Sequence, residues 1–225
     1  MSLKPRKKSD LGKGWMQPRR DAAKFIAPEY HLIVSEGERT EPYYFKSICD
    51  IVNKKFRNRI HLDVIGEGNN TVNLFYKAKR KAAASSNGYK HVWIVYDKDE
   101  FPSEKFDKVV TLCTENSNSE TVFHALWSNQ CIEVWFLLHF VFLQSAIERK
   151  DCFAKLDGHL KEISTEGYNK NYPEIFRALA PYMDKAIINA KKLDEMNRGK
   201  APSGCNPGTK IYILLEVLRP YLRIS

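Results

Sequence analysis

The clearest strand signal in the chain is His91-Val-Trp-Ile-Val-Tyr96, which is followed at once by Asp97-Lys-Asp-Glu100. Apart from His91 its residues are β-branched or aromatic, a composition that favours a strand buried on both faces. Gly88 precedes the segment and Asp97 follows it, and residues of these types commonly occur at the two ends of a strand. The segment therefore predicts a central strand that ends in two aspartates separated by one residue.

The rest of the first 144 residues repeats this pattern of strand, polar loop and helix. The predicted strands are 30–34, 60–65, 91–96 and 121–127, and the predicted helices are 40–56, 71–84, 103–116 and 129–142. We expect Thr40, Ser103 and Asn129 to cap helices and Glu41 to be the acid of a first helical turn. Four such units in series predict an α/β fold with a mostly parallel four-stranded sheet flanked by helices.

Beyond Gln144 the sequence shows helical patterns and no strand pattern. The helical segments are Cys152–Ile163, Tyr172–Asn197 and Thr209–Leu222. We therefore expect three parts: a basic N-terminal arm over residues 1–28, an α/β domain over 29–144, and a helical extension over 145–225 packed on that domain.

Composition excludes several classes of protein. The 225 residues are 43% hydrophobic and 28% charged, which is too apolar for a disordered chain. The five cysteines form no CxxC pair and are odd in number, so they indicate reduced thiols in a cytoplasmic protein. The longest apolar stretch, Cys131–Leu143, is too short to cross a bilayer, and no apolar segment of a secretion signal follows the basic N-terminus.

The formal net charge of +9 is concentrated in the arm. Against Asp10 and Asp21, residues 1–24 carry eight basic side chains: Lys4, Arg6, Lys7, Lys8, Lys13, Arg19, Arg20 and Lys24. Such an arm suits a polyanion such as nucleic acid, and an arm that only aids solubility is the alternative. We take Lys4, Arg6, Lys7, Lys8, Arg19 and Arg20 as candidate nucleic-acid contacts.

Acidic residues follow two of the predicted strands. Glu36 comes directly after the first strand, and Asp97 and Asp99 come after the third. These carboxylates converge if the two strands are neighbours, as in a flavodoxin-like strand order. Three converging carboxylates repel one another unless a cation is present, and Mg²⁺ is the oxygen-seeking cation that suits them. Each cluster on its own is also compatible with an ordinary polar turn.

Four blocks of the sequence together resemble a known family. The strand with Glu36-Gly37 and the strand with Asp97-x-Asp99 resemble the Toprim domain of topoisomerases, DnaG-type primases and OLD-type nucleases. More narrowly, the chain resembles the RloB-like family over roughly residues 30 to 220. The blocks are Val34-Ser-Glu-Gly-Glu-Arg-Thr-Glu-Pro-Tyr-Tyr-Phe45, Asp97-Lys-Asp-Glu100, Ser128-Asn-Gln-Cys-Ile-Glu-Val-Trp-Phe-Leu-Leu-His139 and Asn206-Pro-Gly-Thr209.

The resemblance implies a Mg²⁺-dependent nuclease-like protein, with Mn²⁺ as a substitute, in bacterial or archaeal defence against phage. By motif, Glu36 is the general acid or base, Asp97 and Asp99 are metal ligands, and Glu133 is a further carboxylate. Glu36 as a metal ligand stays open. The chain has no P-loop, so any ATPase would be a separate partner. A nucleic-acid-binding or regulatory subunit without its own catalysis is the alternative function.

Further candidates have structural explanations that weigh against a role in chemistry. Arg39 and Lys98 lie beside the acidic residues and are candidate phosphate contacts, although Arg39 could instead pair with Glu41 or Glu36. We interpret His139, in the apolar segment, as a buried and hydrogen-bonded residue.

Overall fold

The computed structural model describes residues 27–68, 71–163 and 167–222. A five-stranded sheet lies at the centre of the fold. Its strands lie in the order β2-β1-β3-β4-β5, and β1 to β4 run parallel. Their bounds are β1 Glu29–Ser35, β2 Ile60–Gly66, β3 His91–Asp97, β4 Val122–Asn129 and β5 Gly208–Thr209. The predicted α/β class is confirmed. Most of the basic arm, with the six contacts assigned to it, lies outside the described residues.

Helices cover both faces of the sheet. In chain order they are α1 Thr40–Phe56, α2 Thr71–Ala84, α3 Ser103–Asn116, α4 Glu133–Leu137, α5 Arg149–Ile163, α6 Ile175–Leu179, α7 Met183–Met196 and α8 Ile211–Leu222. Successive residues of a strand point to opposite faces, so Leu32 and Val34 pack with α2 and α3 while Ile33 packs with α1 and the C-terminal helices. The central strands are therefore apolar on both sides.

The adjacency of β1 and β3 positions the site. Val34 pairs with Ile94 and Ser35 pairs with Val95, so the two strands end side by side. The sequence predicted this adjacency on the hypothesis of a flavodoxin-like order, and the hypothesis is confirmed. The residues that follow both strands consequently lie at the same edge of the sheet.

The prediction of four strands, with none beyond Gln144, is wrong. β5 consists of Gly208 and Thr209, which pair antiparallel with Asn129 and Ser128. A two-residue strand is too short to show an alternating pattern, so nothing in the sequence indicates it. A Cβ atom at Gly208 would lie 2.6 Å from the carbonyl oxygen of Cys205, so the close approach requires glycine.

The helix predicted from an Asn129 cap through Phe142 is also wrong. Asn129 is the last residue of β4, and its Nδ2 donates to the carbonyl oxygens of Pro202 and Ser203, each at 3.0 Å. The regular helix α4 covers only Glu133–Leu137. The whole segment is apolar because it is buried, and an apolar run alone does not show where a helix begins and ends.

Two other predicted caps do not form. Arg39, not Thr40, precedes α1, and the Thr40 hydroxyl donates to the Lys170 carbonyl oxygen at 3.0 Å. Pro102 precedes α3, so Ser103 is the first helical residue.

The predicted helix over Tyr172–Asn197 is divided into α6, a 3₁₀ turn at Ala180–Tyr182 that contains a proline, and α7.

Across residues 27–68, 71–163 and 167–222, no helix has the length and apolar character needed to span a bilayer. All five cysteines are buried and unpaired.

His139 is fully buried in the turn that follows α4, as the sequence predicted. Its Nδ1 lies 3.1 Å from the Trp135 carbonyl oxygen and 3.2 Å from that of Phe136, so Nδ1 carries the proton. Burial lowers the pKa of His139 to about 4, against the opposing effect of the two carbonyl groups. A group whose pKa is lowered by folding contributes stability that is lost as the pH falls through the folded value.

We expect His139→Asn to flatten the loss of stability on acidification, because asparagine keeps the donor and does not titrate. Between pH 6.5 and pH 4 the parent should lose about 3 kcal/mol more than the variant. Urea unfolding at several pH values measures this difference, and His124, whose pKa is also lowered, contributes equally to both proteins. Equal pH slopes would show that His139 does not titrate in this range.

Candidate functional site

Glu36 and Asp97 meet at the carboxyl edge of the sheet. The Glu36 backbone N–H donates to the Val95 carbonyl oxygen at 2.9 Å, which continues the β1–β3 pairing by one residue. The Asp97 backbone N–H lies 3.4 Å from Glu36 Oε2. The strand pairing thus brings the first predicted carboxylate against the second.

Asp97 is one of two buried carboxylates in the predicted set, the other being Glu133. Its side chain is only 6% exposed, and Oδ2 accepts a hydrogen bond of 3.1 Å from the Ile132 backbone N–H. Oδ1 is buried and has no hydrogen-bond partner among the described residues. A buried, unpartnered carboxylate oxygen is costly unless a proton or a cation satisfies it.

Asp99 is held at the open side of the site in a strained conformation. Its φ of +37° is uncommon for a residue with a side chain, and its N–H donates to the Gln130 carbonyl oxygen at 3.2 Å. Its Oδ1 accepts a hydrogen bond from Nη1 of Arg149, the first residue of α5. Sequence analysis missed Arg149, because it lies 50 residues from Asp99 in a segment without a recognised motif.

Glu133, the first residue of α4, joins the same edge. It is 2% exposed, and its Oε1 accepts a hydrogen bond from the Tyr168 hydroxyl. The structure therefore brings together all four of the carboxylates predicted from the sequence.

Glu41 is a fifth carboxylate, and the sequence predicts it only as the acid in the first turn of α1. It is buried, and its side chain packs on Gly37, where a Cβ atom would lie 2.0 Å from Glu41 Oε2. The signal that could have identified it is geometric: a helix that begins just after β1 returns its first turn to the edge where β1 ended. A side chain at position 37 would therefore displace the Glu41 carboxylate from its present place.

These residues line a cavity of about 640 Å³ that opens to solvent. Its polar lining consists of Glu36, Glu38, Arg39, Thr40, Glu41, Asp97, Asp99, Glu133, Arg149, Lys170 and Asn171. Of the five carboxylates described above, Glu41, Asp97 and Glu133 are buried, and Glu36 and Asp99 are partly exposed. Among the described residues, Arg149 is the one basic side chain that forms an ion pair with any of the five.

Burial, together with the charges of neighbouring acids, raises the pKa values of Glu36, Glu41 and Asp97. Burial raises the pKa of Glu36 to about 7, helped by Asp99 and Glu41 and opposed by the Asp97 N–H and Arg149. Burial, Glu133 and Asp99 raise the pKa of Glu41 to about 7, against hydrogen bonds from its own N–H and that of Gly37. Burial and the charges of Glu41, Glu133 and Asp99 hold the pKa of Asp97 well above its usual range.

The two predicted phosphate contacts lie in different surroundings. Arg39 lines the cavity, and its Nη1 donates to Asn171 Oδ1 at 3.1 Å, so neither Glu41 nor Glu36 is its partner. The Lys98 Nζ donates to the Phe101 carbonyl oxygen, and Lys98 does not line the cavity. Lys170, which sequence analysis did not select, lines the cavity beside Asn171.

The carboxylates fit a hard divalent cation. Carboxylate oxygens are the ligands that Mg²⁺ prefers, the Asp97 Oδ1 atom lacks a partner, and a cation would relieve the repulsion that raises these pKa values. As the side chains stand, no three of the carboxylates have oxygens within 4.8 Å of one another. Binding would therefore require carboxylate groups to rotate inward.

Of the described residues, one group does have three ligand atoms within 4.8 Å of one another: Glu29, His31 and His91, at the opposite edge of the sheet. The Trp93 indole N–H donates to His31 Nδ1 at 3.1 Å, and this N–H cannot act as an acceptor. His31 therefore carries its proton on Nε2, which lies 2.7 Å from Glu29 Oε1. The pair is satisfied without a metal, and His31 Nε2 has no free lone pair to offer one.

The fold and site define an α/β protein with a carboxylate-lined cavity at the carboxyl edge of a mostly parallel sheet. A family model described as RloB-like protein matches residues 31–218, so the chain belongs to the RloB-like family. No curated protein and no solved structure gives a significant match.

We expect Mg²⁺ to stabilise the fold in a pH-dependent way. Folding raises the pKa of Glu36 and Glu41 from 4.5 to about 7, so without metal their contribution is full below pH 4.5 and is lost as the pH rises through 7. A cation binds the ionised carboxylates of the folded state and opposes that loss. Millimolar Mg²⁺ should therefore raise the melting temperature at pH 8 by several degrees and have little effect at pH 5.

The matched variant for this measurement is Asp97→Asn, which removes a charge from the site. It should be at least as stable as the parent at pH 8 without metal, and it should lose the Mg²⁺ effect. Stabilisation by Mg²⁺ that is equal at both pH values, or that survives in the variant, would argue against a metal at these carboxylates.

Proposed function

We propose that this protein is a Mg²⁺-dependent nuclease that hydrolyses phosphodiester bonds in DNA or RNA. The observation that carries the proposal is the convergence of Glu36, Glu41, Asp97, Asp99 and Glu133 in one open cavity with basic residues at its mouth. Acidic groups that hold a cation beside basic groups that attract phosphate are the usual combination for phosphoryl chemistry.

Asp97 is the proposed central ligand, because its buried Oδ1 atom has no partner among the described residues. Arg149 donates to Oδ1 of Asp99, so Oδ2 of Asp99 can bind the metal without breaking that ion pair. A bound Mg²⁺ would supply polarisation of the phosphate and a more acidic water. Glu41 and Glu133 complete the negative charge around it.

Glu36 is the proposed proton-transfer group. Burial raises its pKa to about 7 in the metal-free protein, so the group can exchange a proton near neutral pH, as a general acid or base must. It is partly exposed to the cavity, whereas Asp97 is buried. The hydrogen bond from the Asp97 N–H holds Oε2 of its carboxylate beside Asp97.

The pattern of Glu36 after β1 and Asp97-x-Asp99 after β3 supports a Toprim-like reaction centre, in agreement with the resemblance stated from the sequence. Membership of the RloB-like family supports the proposed role in anti-phage defence of a bacterium or archaeon. In the alternative, the protein binds nucleic acid or regulates a partner ATPase and does not cleave. The cleavage assay distinguishes these functions.

We expect Glu36→Gln to slow cleavage of a labelled DNA or RNA by roughly a hundred- to ten-thousand-fold while retaining most of the Mn²⁺ affinity. Asp97→Asn should lose both cleavage and metal binding, because a neutral amide lacks the charge that a hard cation requires. Single-turnover rates at saturating Mg²⁺, with Mn²⁺ binding measured by calorimetry, separate the two effects.

Glu100→Gln serves as the control, since Glu100 is exposed beside the site but does not line the cavity. Its rate should equal that of the parent. If Glu36→Gln loses metal as completely as Asp97→Asn, then Glu36 is a ligand and another group moves the proton. If the parent does not cleave under any metal condition, the binding or regulatory function replaces this proposal.

A further inference from the structure

Two basic side chains share one aromatic ring at the mouth of the cavity. The guanidinium carbon of Arg149 lies 5.8 Å from the ring centroid of Phe153, and the Lys170 Nζ lies 5.0 Å from the same centroid. Both distances fall within the range of cation–π attraction. Arg149 and Lys170 belong to different segments, the start of α5 and the loop after it, and the fold places both beside the same ring.

Arg149 is oriented but retains most of its donors. Nη1 donates to Asp99, and the guanidinium lies near the Phe153 ring, so two contacts fix its position. A guanidinium has five N–H donors, and among the described residues only this one hydrogen bond is made. The remaining N–H groups are available in a planar arrangement that matches two oxygens of a phosphate.

Lys170 is held by the backbone of its loop. Its carbonyl oxygen accepts a hydrogen bond from the Thr40 hydroxyl, and the neighbouring Asn171 accepts from Arg39. These contacts join the loop to the segment that carries Glu36 and Glu41. No acidic side chain among the described residues forms an ion pair with the Lys170 Nζ, so its charge is available at the mouth of the cavity.

We propose that Arg149 and Lys170 form a binding site for a backbone phosphate of the nucleic acid, with Phe153 as the residue that positions them both. This inference rests on the proposed function. Arg149 is hydrogen-bonded to Asp99, which is a proposed metal ligand. A phosphate bound by Arg149 would therefore lie close to the proposed metal, with Asp99 between them. Asp99 compensates part of the Arg149 charge, whereas among the described residues no acid pairs with Lys170, so a phosphate would meet uncompensated positive charge there.

The test is the salt dependence of nucleic-acid binding by the full chain. The Glu36→Gln protein in Mg²⁺ is titrated with a fluorescein-labelled 20-nucleotide single strand, as DNA and as RNA, from 50 to 250 mM KCl. Each lost phosphate contact should flatten the slope of log K against log salt by about 0.7. Arg149→Met and Lys170→Met should each do so and weaken binding roughly tenfold, and the double variant should show about twice the change in slope.

Lys150→Met is the matched control, because it removes the same charge at the next position. Lys150 is highly exposed, pairs with Glu148 at 3.2 Å, and does not line the cavity. Its slope should match that of the Glu36→Gln parent. Phe153→Leu should weaken binding with both charges kept, and Phe153→Tyr should restore it, while thermal melts check that every variant is folded.

Three results would overturn the inference. Arg149→Met and Lys170→Met could bind like Lys150→Met, either because none changes the slope or because all change it equally. Either outcome, found with a wild-type protein that cleaves, would leave the proposed function standing. If the protein binds neither strand at any salt concentration, the inference is wrong, and the cleavage assay decides the proposed function separately.

Discussion

The parallel pairing of β1 with β3 is the interaction on which the rest of the site depends. It continues one residue beyond β1, through the hydrogen bond from Glu36 to Val95, and so places two acidic side chains at neighbouring strand ends. Because α1 starts immediately afterwards, Glu41 returns to the same place and packs on Gly37. Negative charge is thus concentrated by backbone geometry, and it requires protons or a cation to be tolerated at neutral pH.

The titratable groups at the two edges of the sheet differ in how completely their hydrogen bonds are satisfied. At the amino edge, the Trp93 indole N–H donates to His31, and the His31 Nε2–H donates to Glu29, so both donors have an acceptor. At the carboxyl edge, Asp97 keeps a buried oxygen without a partner, and Asp99 is held at a positive φ. Strain and unsatisfied groups are characteristic of functional sites, which is why we place the chemistry at the carboxyl edge although the histidine group has the closer ligand atoms.

The sequence predicted the parallel core and the meeting of Glu36 with Asp97, because long apolar strands and the residues just after them are strong local signals. It did not predict β5, which is two residues long, or the short α4, since the apolar run around Trp135 is compatible with several lengths of helix. Arg149 could not be predicted, because its partner Asp99 is distant in the sequence and only the packing of α5 joins them. Thr40 fails as a cap because a distant loop uses its hydroxyl.

The proposed reaction centre requires the carboxylates at the ends of β1 and β3 to hold a divalent cation. The most direct measurement is a crystal structure of the full chain with Mn²⁺, with anomalous scattering used to locate the ion. We predict a peak about 2.1 Å from an oxygen of Asp97 and in reach of at least one other carboxylate of the cavity. The absence of a peak there at saturating Mn²⁺, or a peak only beside His31 and His91, would contradict the account.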